Sequence, residues 1–240
     1  MSKIWFKCVK KIYGYSNMKI AMCMFYDEPI SHYASITEDI NKLYCGKHMI
    51  DMVVSQEPVY ENRHSAWESV PLVLKQIETN NYDYVIWIDA DAFFYHDSPN
   101  ITSLIYENSS YDFIFSWDYP GSSQHHTKEI NTGVYVVKNT TFAKEFLKKW
   151  AYDENLFNNS TMKYRWDQGV LNDMVRQNIL DISSHIKVED YGVMQHFFKE
   201  ELANLSKSPW VYHMAGRRAA KKEHERYDDA SAYFEQLSAT

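Results

Sequence analysis

Residues 84–94 read YVIWIDADAFF, five apolar residues running straight into two aspartates separated by one alanine. A run without a polar position offers no face to water, so it predicts a strand buried on both sides. Strands of that kind belong to parallel sheets with helices on both faces. The segments around it repeat the pattern. Strands are predicted over 19–25 (KIAMCMF), 48–54, 112–117, 130–137 (INTGVYVV) and, late, 210–214. Helices are predicted over 31–44, with Ile36, Ile40 and Leu43 on one face and Gly46 as a stop, and over 66–79, 142–152, 167–177 and 217–237. Pro71 leaves the first turn of the second helix open, and Asp167 suits the N-cap of the fourth. The predicted fold is α/β: a mixed, mainly parallel sheet flanked by helices, in one domain over 19–240, with residues 1–18 as an extension.

A chain of 240 residues buries enough surface to fold without staples. With 45% hydrophobic and 24% charged residues it is neither disordered nor a coiled coil. The net charge of −7 argues against a nucleic-acid partner. Three cysteines, Cys8, Cys23 and Cys45, fit no zinc spacing and suit a reducing compartment. The basic, aromatic start lacks the apolar core of a signal peptide, and no apolar segment is long enough to span a bilayer. A cytoplasmic location is therefore expected.

In open α/β sheets ligands sit beyond the carboxyl ends of the strands. Tyr26, Asp27, Asp89 and Asp91 all follow such ends. Two carboxylates so close repel one another, and a hard divalent cation relieves the repulsion while accepting phosphate oxygens. The plainer alternative is that either aspartate caps a turn. Asn131-Thr132-Gly133, entering a strand, offers an amide, a hydroxyl and a close backbone approach suited to sugar hydroxyls; equally it is a polar turn. Trp166-Asp167-Gln168-Gly169 places a carboxylate and an amide at a helix start, as ligands of a sugar, a base or an ordinary cap. His213, ahead of Met214-Ala215-Gly216-Arg217-Arg218, suits a third metal ligand with a phosphate-binding corner behind it. His125-His126 reads as a lid or acceptor loop, and Lys221-Lys222 as a solvated helix face.

These signals come in one order: DAD, NTGVYVV with a following Asn, Trp150, WDQG, HMAG. The set, over about residues 67–216, resembles nucleotide-sugar glycosyltransferases of the GT-A fold, and within them the galactosyl-, mannosyl- and xylosyltransferase family thirty-four. Eukaryotic members usually carry a membrane anchor and are longer; the soluble glycosyltransferases of large algal viruses are similar to this chain in both respects. The resemblance implies that Asp89, Asp91 and His213 bind Mn²⁺ (or Mg²⁺). It implies that a UDP-sugar donor lies against Phe25, Tyr26, Arg63, Asp89, Ala90, Asp118, Asn131, Thr132, Gly133, Gln168, Gly216 and Arg217. Asp167 would be catalytic, either deprotonating a glycan acceptor or supporting an oxocarbenium-like centre. The family leans towards retention. Two other readings are an aspartate-nucleophile phosphatase, which would want Thr or Val where Ala92 stands, and a carbohydrate-binding module, which leaves the acidic pair unexplained. A nucleotidyltransferase would want a Gly-rich loop after the first strand, and residues 24–33 (MFYDEPISHY) have no Gly.

Overall fold

A computed structural model describes residues 18–120, 128–160, 166–199, 209–215 and 220–239. The predicted extension over 1–18 lies almost wholly outside them, as do Cys8, the His125-His126 loop, Gly216, Arg217 and Arg218.

The main sheet holds six strands: β1 (Ile20–Phe25), β2 (Asp51–Ser55), β3 (Tyr84–Ile88), β5 (Phe113–Trp117), β6 (Ile130–Lys138) and β7 (Ile186–Glu189), in the order β2-β1-β3-β6-β5-β7. A second sheet holds β4 (Ala92–Phe94), β8 (Gln195–His196) and β9 (Val211–His213), in the order β4-β9-β8. The helices are α1 (Ser31–His48), α2 (Ser69–Glu78), α3 (Thr102–Glu107), α4 (Thr141–Tyr152), α5 (Glu154–Asn159), α6 (Trp166–Arg176) and α7 (Ala220–Ser238).

Alternation along β1 and β3 divides the core into two layers. Ala21, Cys23, Phe25, Val85 and Trp87 face one way and pack with α2, α4 and α6 residues such as Val73, Phe146 and Leu171. Met22, Met24, Ile86 and Ile88 face the other way and pack with α1 and α3 residues such as Tyr44 and Ile105. Each apolar side chain buried this way contributes about 1.5–3 kcal/mol, so a run like YVIWI is held firmly between two helical layers. Cys23 and Cys45 are buried free thiols.

Two features differ from the sequence reading. Gly46 does not stop the first helix. It lies inside α1, which continues to His48 and ends at Met49, in the left-handed conformation (φ 56°), whose N–H bonds Cys45 O. The strand predicted from residue 48 therefore begins at Asp51. The buried stripe of α1 is Tyr33, Ala34, Thr37, Ile40, Asn41, Tyr44 and Cys45, and Leu43 is 46% exposed. The sheet is mixed, as expected, because β6 runs antiparallel to both neighbours, β3 and β5. This reversal carries the start of β6, Asn131 to Gly133, to the carboxyl ends of β3 and β5. β7, β8 and the 3-10 turns over Ile179–Ser184 arise in segments whose periodicity is weak.

Candidate active site

The Asp89-Ala90-Asp91 turn is the hinge between the two sheets. β3 ends at Ile88 and β4 begins at Ala92. The turn is closed by Ala92 N–H to Asp89 O (3.0 Å), and Asp89 N–H donates to Gly133 O (2.8 Å). Two buried polar side chains of α1 lock it from below. Thr37 Oγ1 donates to Ala90 O (2.7 Å), and Asn41 bridges Ala92 O (3.0 Å) and Phe94 N–H (2.9 Å). Leaving such buried groups unmatched would cost about 1–3 kcal/mol each, so the turn has little freedom.

β9 pairs with β4 in the register Ala92↔His213, and Met214 N–H donates to Asp91 O (2.8 Å). His213 is thereby set beside the two aspartates. Its Nε2 lies 3.3 Å from Asp91 Oδ1 and 3.6 Å from Asp89 Oδ2. Ligand atoms of the three residues all lie within 4.8 Å of one another. Two carboxylates and an imidazole form a donor set that suits Mn²⁺ and, less well, Mg²⁺. Gly133 makes the approach possible: a Cβ there would stand 2.1 Å from His213 Cε1 and 2.8 Å from Asp89 Oδ2. The glycine is needed for space, since its φ is ordinary.

The cluster has its own supports. Trp87 Nε1 donates to Asp89 Oδ1 (2.8 Å), and Arg226 of α7 pairs with Asp91 Oδ2 (2.8 Å) while stacking over Tyr33. Burial pushes the Asp89 carboxyl up to about 6, against the pull of His213. Burial also opposes charge on Asp91, but His213 and Arg226 outweigh it and hold that carboxyl below its ordinary range. Burial disfavours the His213 cation; Asp91 and Asp89 overcome this and raise its pKa.

A second group of polar residues adjoins the first. Asp167 is not the N-cap of its helix. α6 begins at Trp166, and Asp167 lies within the first turn, 4% exposed, accepting from Ser69 Oγ (3.3 Å). Burial, reinforced by the nearby charge of Asp89, pushes its carboxyl up to about 8. Gln168 Nε2 donates to Asp118 Oδ2 (3.2 Å), and Gln168 Oε1 faces Asn131 Nδ2 and Thr132 N–H, both at 3.4 Å. Asp118 also accepts from Tyr119 N–H (2.8 Å). The structure thus brings together Asp89, Ala90, Asp91, Asp118, Asn131, Thr132, Gly133, Asp167, Gln168 and His213.

Three other candidates lie differently. Arg63 is engaged elsewhere: its guanidinium bonds Ala151 O (2.8 Å) and Glu154 (2.5 Å) among the rings of Tyr60, Trp67 and Phe157. None of these partners belongs to the cluster. The Phe25 side chain is core, packed with Trp67, so only its backbone is left to meet a ligand. Tyr26 sits at the end of β1 with its hydroxyl donating to Glu38 (2.6 Å). Gln195, Arg226, Ser69, Thr37 and Asn41 escape sequence reasoning. Only the Thr37/Asn41 pair leaves a trace, as polar residues four apart on an otherwise apolar helix stripe.

No helix among the described residues is long and apolar enough to cross a membrane. Among curated proteins, the chain is similar to xyloglucan 6-xylosyltransferase 4 of Arabidopsis thaliana, 26% identical over 129 residues, which are 52% of this chain and 25% of that protein. It is also similar to galactomannan galactosyltransferase 1 of Cyamopsis tetragonoloba, 23% identical over 108 residues, 45% of this chain and 25% of that protein. The matches span about a quarter of the length of these relatives. Among solved structures, a glycosyltransferase involved in glycosylation of the major capsid of PBCV-1 superposes with a TM-score of 0.70 at 17% identity, covering 89% of this chain and 99% of that one. The glycosyltransferase GlyE of Streptococcus pneumoniae TIGR4, in its apo form, gives 0.51 at 13% identity, covering 92% of this chain and 63% of that one. These likenesses give the fold, which is of the GT-A type. A family model for nucleotide-diphospho-sugar transferases matches residues 32–225, the stretch that contains every residue of the cluster, and the chain belongs to that family.

Proposed function

We propose that this chain transfers a sugar from a UDP-sugar to an acceptor hydroxyl of a glycan, with Mn²⁺ or Mg²⁺ held by Asp89, Asp91 and His213. The observation that carries the reading is the convergence of these three residues within 4.8 Å at the junction of two sheets. The sugar-like polar pocket of Asn131, Gln168 and Asp118 is continuous with it through hydrogen bonds. Membership of the nucleotide-diphospho-sugar transferase family favours this chemistry over phosphomonoester hydrolysis or sugar binding alone.

A divalent ion held by Asp89, Asp91 and His213 would supply positive charge against the negative charge growing on the departing diphosphate. The chain's own residues do the rest. Asp89 and Asp91 supply the negative charge that recruits the cation. Arg226 keeps Asp91 ionised by pairing with its second oxygen. The Phe25 backbone and Tyr26, at the end of β1, are the proposed holders of the uracil base; Gly216 and Arg217, after His213, are the proposed diphosphate corner. Asn131, Thr132, Gln168 and Asp118 present donors and acceptors to the sugar hydroxyls. We assign Asp167 to the donor side, where its ionised form, favoured as positive charge develops at the anomeric carbon, would support that charge, an arrangement that fits retention. Calorimetric titration with UDP, UDP-sugars and GDP, with and without Mn²⁺, tests the reading. Metal-dependent binding of a uridine nucleotide is expected, and absence of binding to all of them with metal present overturns it.

A further inference from the structure

We propose that Gln195 is a positioning residue that sets the tautomer and aim of His213 towards a divalent cation and couples that ligand to Asn131 in the sugar pocket. The inference rests on the metal reading of Asp89, Asp91 and His213 and adds a residue to it. Gln195 lies on the short strand β8, is 0% exposed, and both ends of its amide are taken by residues of the cluster. Burying an amide costs free energy unless each end is matched, so its presence at a fully buried strand position calls for a reason.

The direction of the chain of hydrogen bonds follows from one backbone group. Gly133 N–H can only donate, and it lies 2.9 Å from the Asn131 side chain, so the atom facing it is Oδ1. The Gln195 atom that lies 2.9 Å from the same Oδ1 must also donate, and is therefore Nε2. Gln195 Oε1 is then turned to His213 Nδ1, 2.8 Å away, and accepts from it. A His213 that offers Nε2 to a cation must accordingly carry its hydrogen on Nδ1, and Gln195 Oε1 is the acceptor that holds it there. The His213 Nε2 lone pair is left facing Asp89 and Asp91, which is the tautomer that ligates through Nε2. The other tautomer would put an Nδ1 lone pair against Oε1, two acceptors face to face. Turning the Gln195 amide to relieve that clash would set its carbonyl against Asn131 Oδ1. The backbone of Gly133 thus dictates, two side chains away, which imidazole nitrogen is available. Asn131 is held by the same bonds, with its Nδ2 turned to Gln168.

The test uses the full chain and two variants, Gln195→Leu and Gln195→Glu, each checked by thermal melting. Mn²⁺ affinity is read by electron paramagnetic resonance, alone and with UDP. The His213 tautomer is read by ¹⁵N NMR on protein loaded with diamagnetic Mg²⁺, where the cation takes the place of a proton at Nε2. The parent is expected to show Nδ1–H. Gln195→Leu is expected to mix the tautomers and lose about 10–100-fold in Mn²⁺ affinity, the usual cost of removing a group that orients a metal ligand. Gln195→Glu keeps an acceptor for Nδ1–H but loses the donor to Asn131, so it is expected to hold Mn²⁺ and raise KM for the sugar donor. A Gln195→Leu variant with the parent's affinity overturns the proposal. So does an Nε2–H tautomer in the parent, which needs no variant to fold. Mn²⁺ binding by the parent with no affinity for any sugar nucleotide removes the transferase reading and leaves Gln195 in its role. No Mn²⁺ binding, alone or with UDP, overturns both.

Discussion

Replacing Gly133 with alanine tests the site in its tightest place. The added Cβ would stand 2.1 Å from His213 Cε1. Against an ordinary carbon contact the imidazole must retreat by more than about 1 Å. It has nowhere easy to go: His213 is 3% exposed, bonded to Gln195 through Nδ1, and edged by the Phe197 ring at 5.1 Å. Metal–ligand distances tolerate only about 0.2 Å, so His213 ceases to ligate. The Cβ also crowds Asp89 Oδ2 at 2.8 Å, which disturbs a second ligand. Gly133→Ala is therefore expected to lower Mn²⁺-dependent UDP affinity by at least about 10-fold, while overpacking costs about 1–3 kcal/mol of stability. Titration calorimetry and urea unfolding measure the two. The double variant Gly133→Ala/His213→Ala removes the obstructing ring, so it is expected to recover much of the lost stability and none of the metal binding. That non-additivity is the signature of a direct clash. A single variant that binds Mn²⁺ and UDP like the parent and unfolds at the same urea concentration would refute the geometric argument.

Asp91→Ala is expected to abolish the gain in UDP affinity that Mn²⁺ confers; undiminished metal-dependent binding would remove Asp91 from the ligand set. Asp167→Asn is expected to keep donor binding and lose transfer, and unchanged turnover would take Asp167 out of the mechanism. The same variant carries a pH signature. A carboxyl raised to about 8 makes the folded state hold its proton longer than the unfolded chain, so Asp167 costs stability increasingly as pH rises from its unfolded value towards 8. The melting advantage of metal-free Asp167→Asn over the parent should therefore grow between pH 5 and pH 8, and a pH-independent difference would contradict the burial argument. Arg63→Ala is expected to cost about 2 kcal/mol through lost cation–π and packing contacts, with Mn²⁺·UDP affinity unchanged. A fall in affinity at full folding would return Arg63 to the donor site.

Much of the architecture is written in local pattern. YVIWI is a strand buried on both faces whatever surrounds it, because it has no polar position to expose, and the carboxylates that follow must lie at the sheet's carboxyl edge. Val70, Val73, Leu74 and Ile77 recur at helical spacing and form α2 for the same reason. Gly46 misleads because glycine lowers helix propensity without forbidding a helix, and the docking of α1 against the sheet outweighs that cost. Strand direction has no local signature. INTGVYVV reads the same parallel or antiparallel, and its reversal in β6 decides that Asn131 to Gly133 meet Asp89 at all. The two-residue strand β8 is likewise invisible in periodicity, so Gln195 is an unremarked polar residue until the pairing of β4, β9 and β8 sets it between His213 and Asn131. Arg63 shows the converse. A basic residue before a helix invites a phosphate, and packing against Tyr60, Trp67 and Phe157 gives it other work. Residue chemistry and spacing name the groups a site can use; contacts between segments far apart in the chain select which of them meet, because hydrogen-bond direction and steric room exist only between surfaces already brought together.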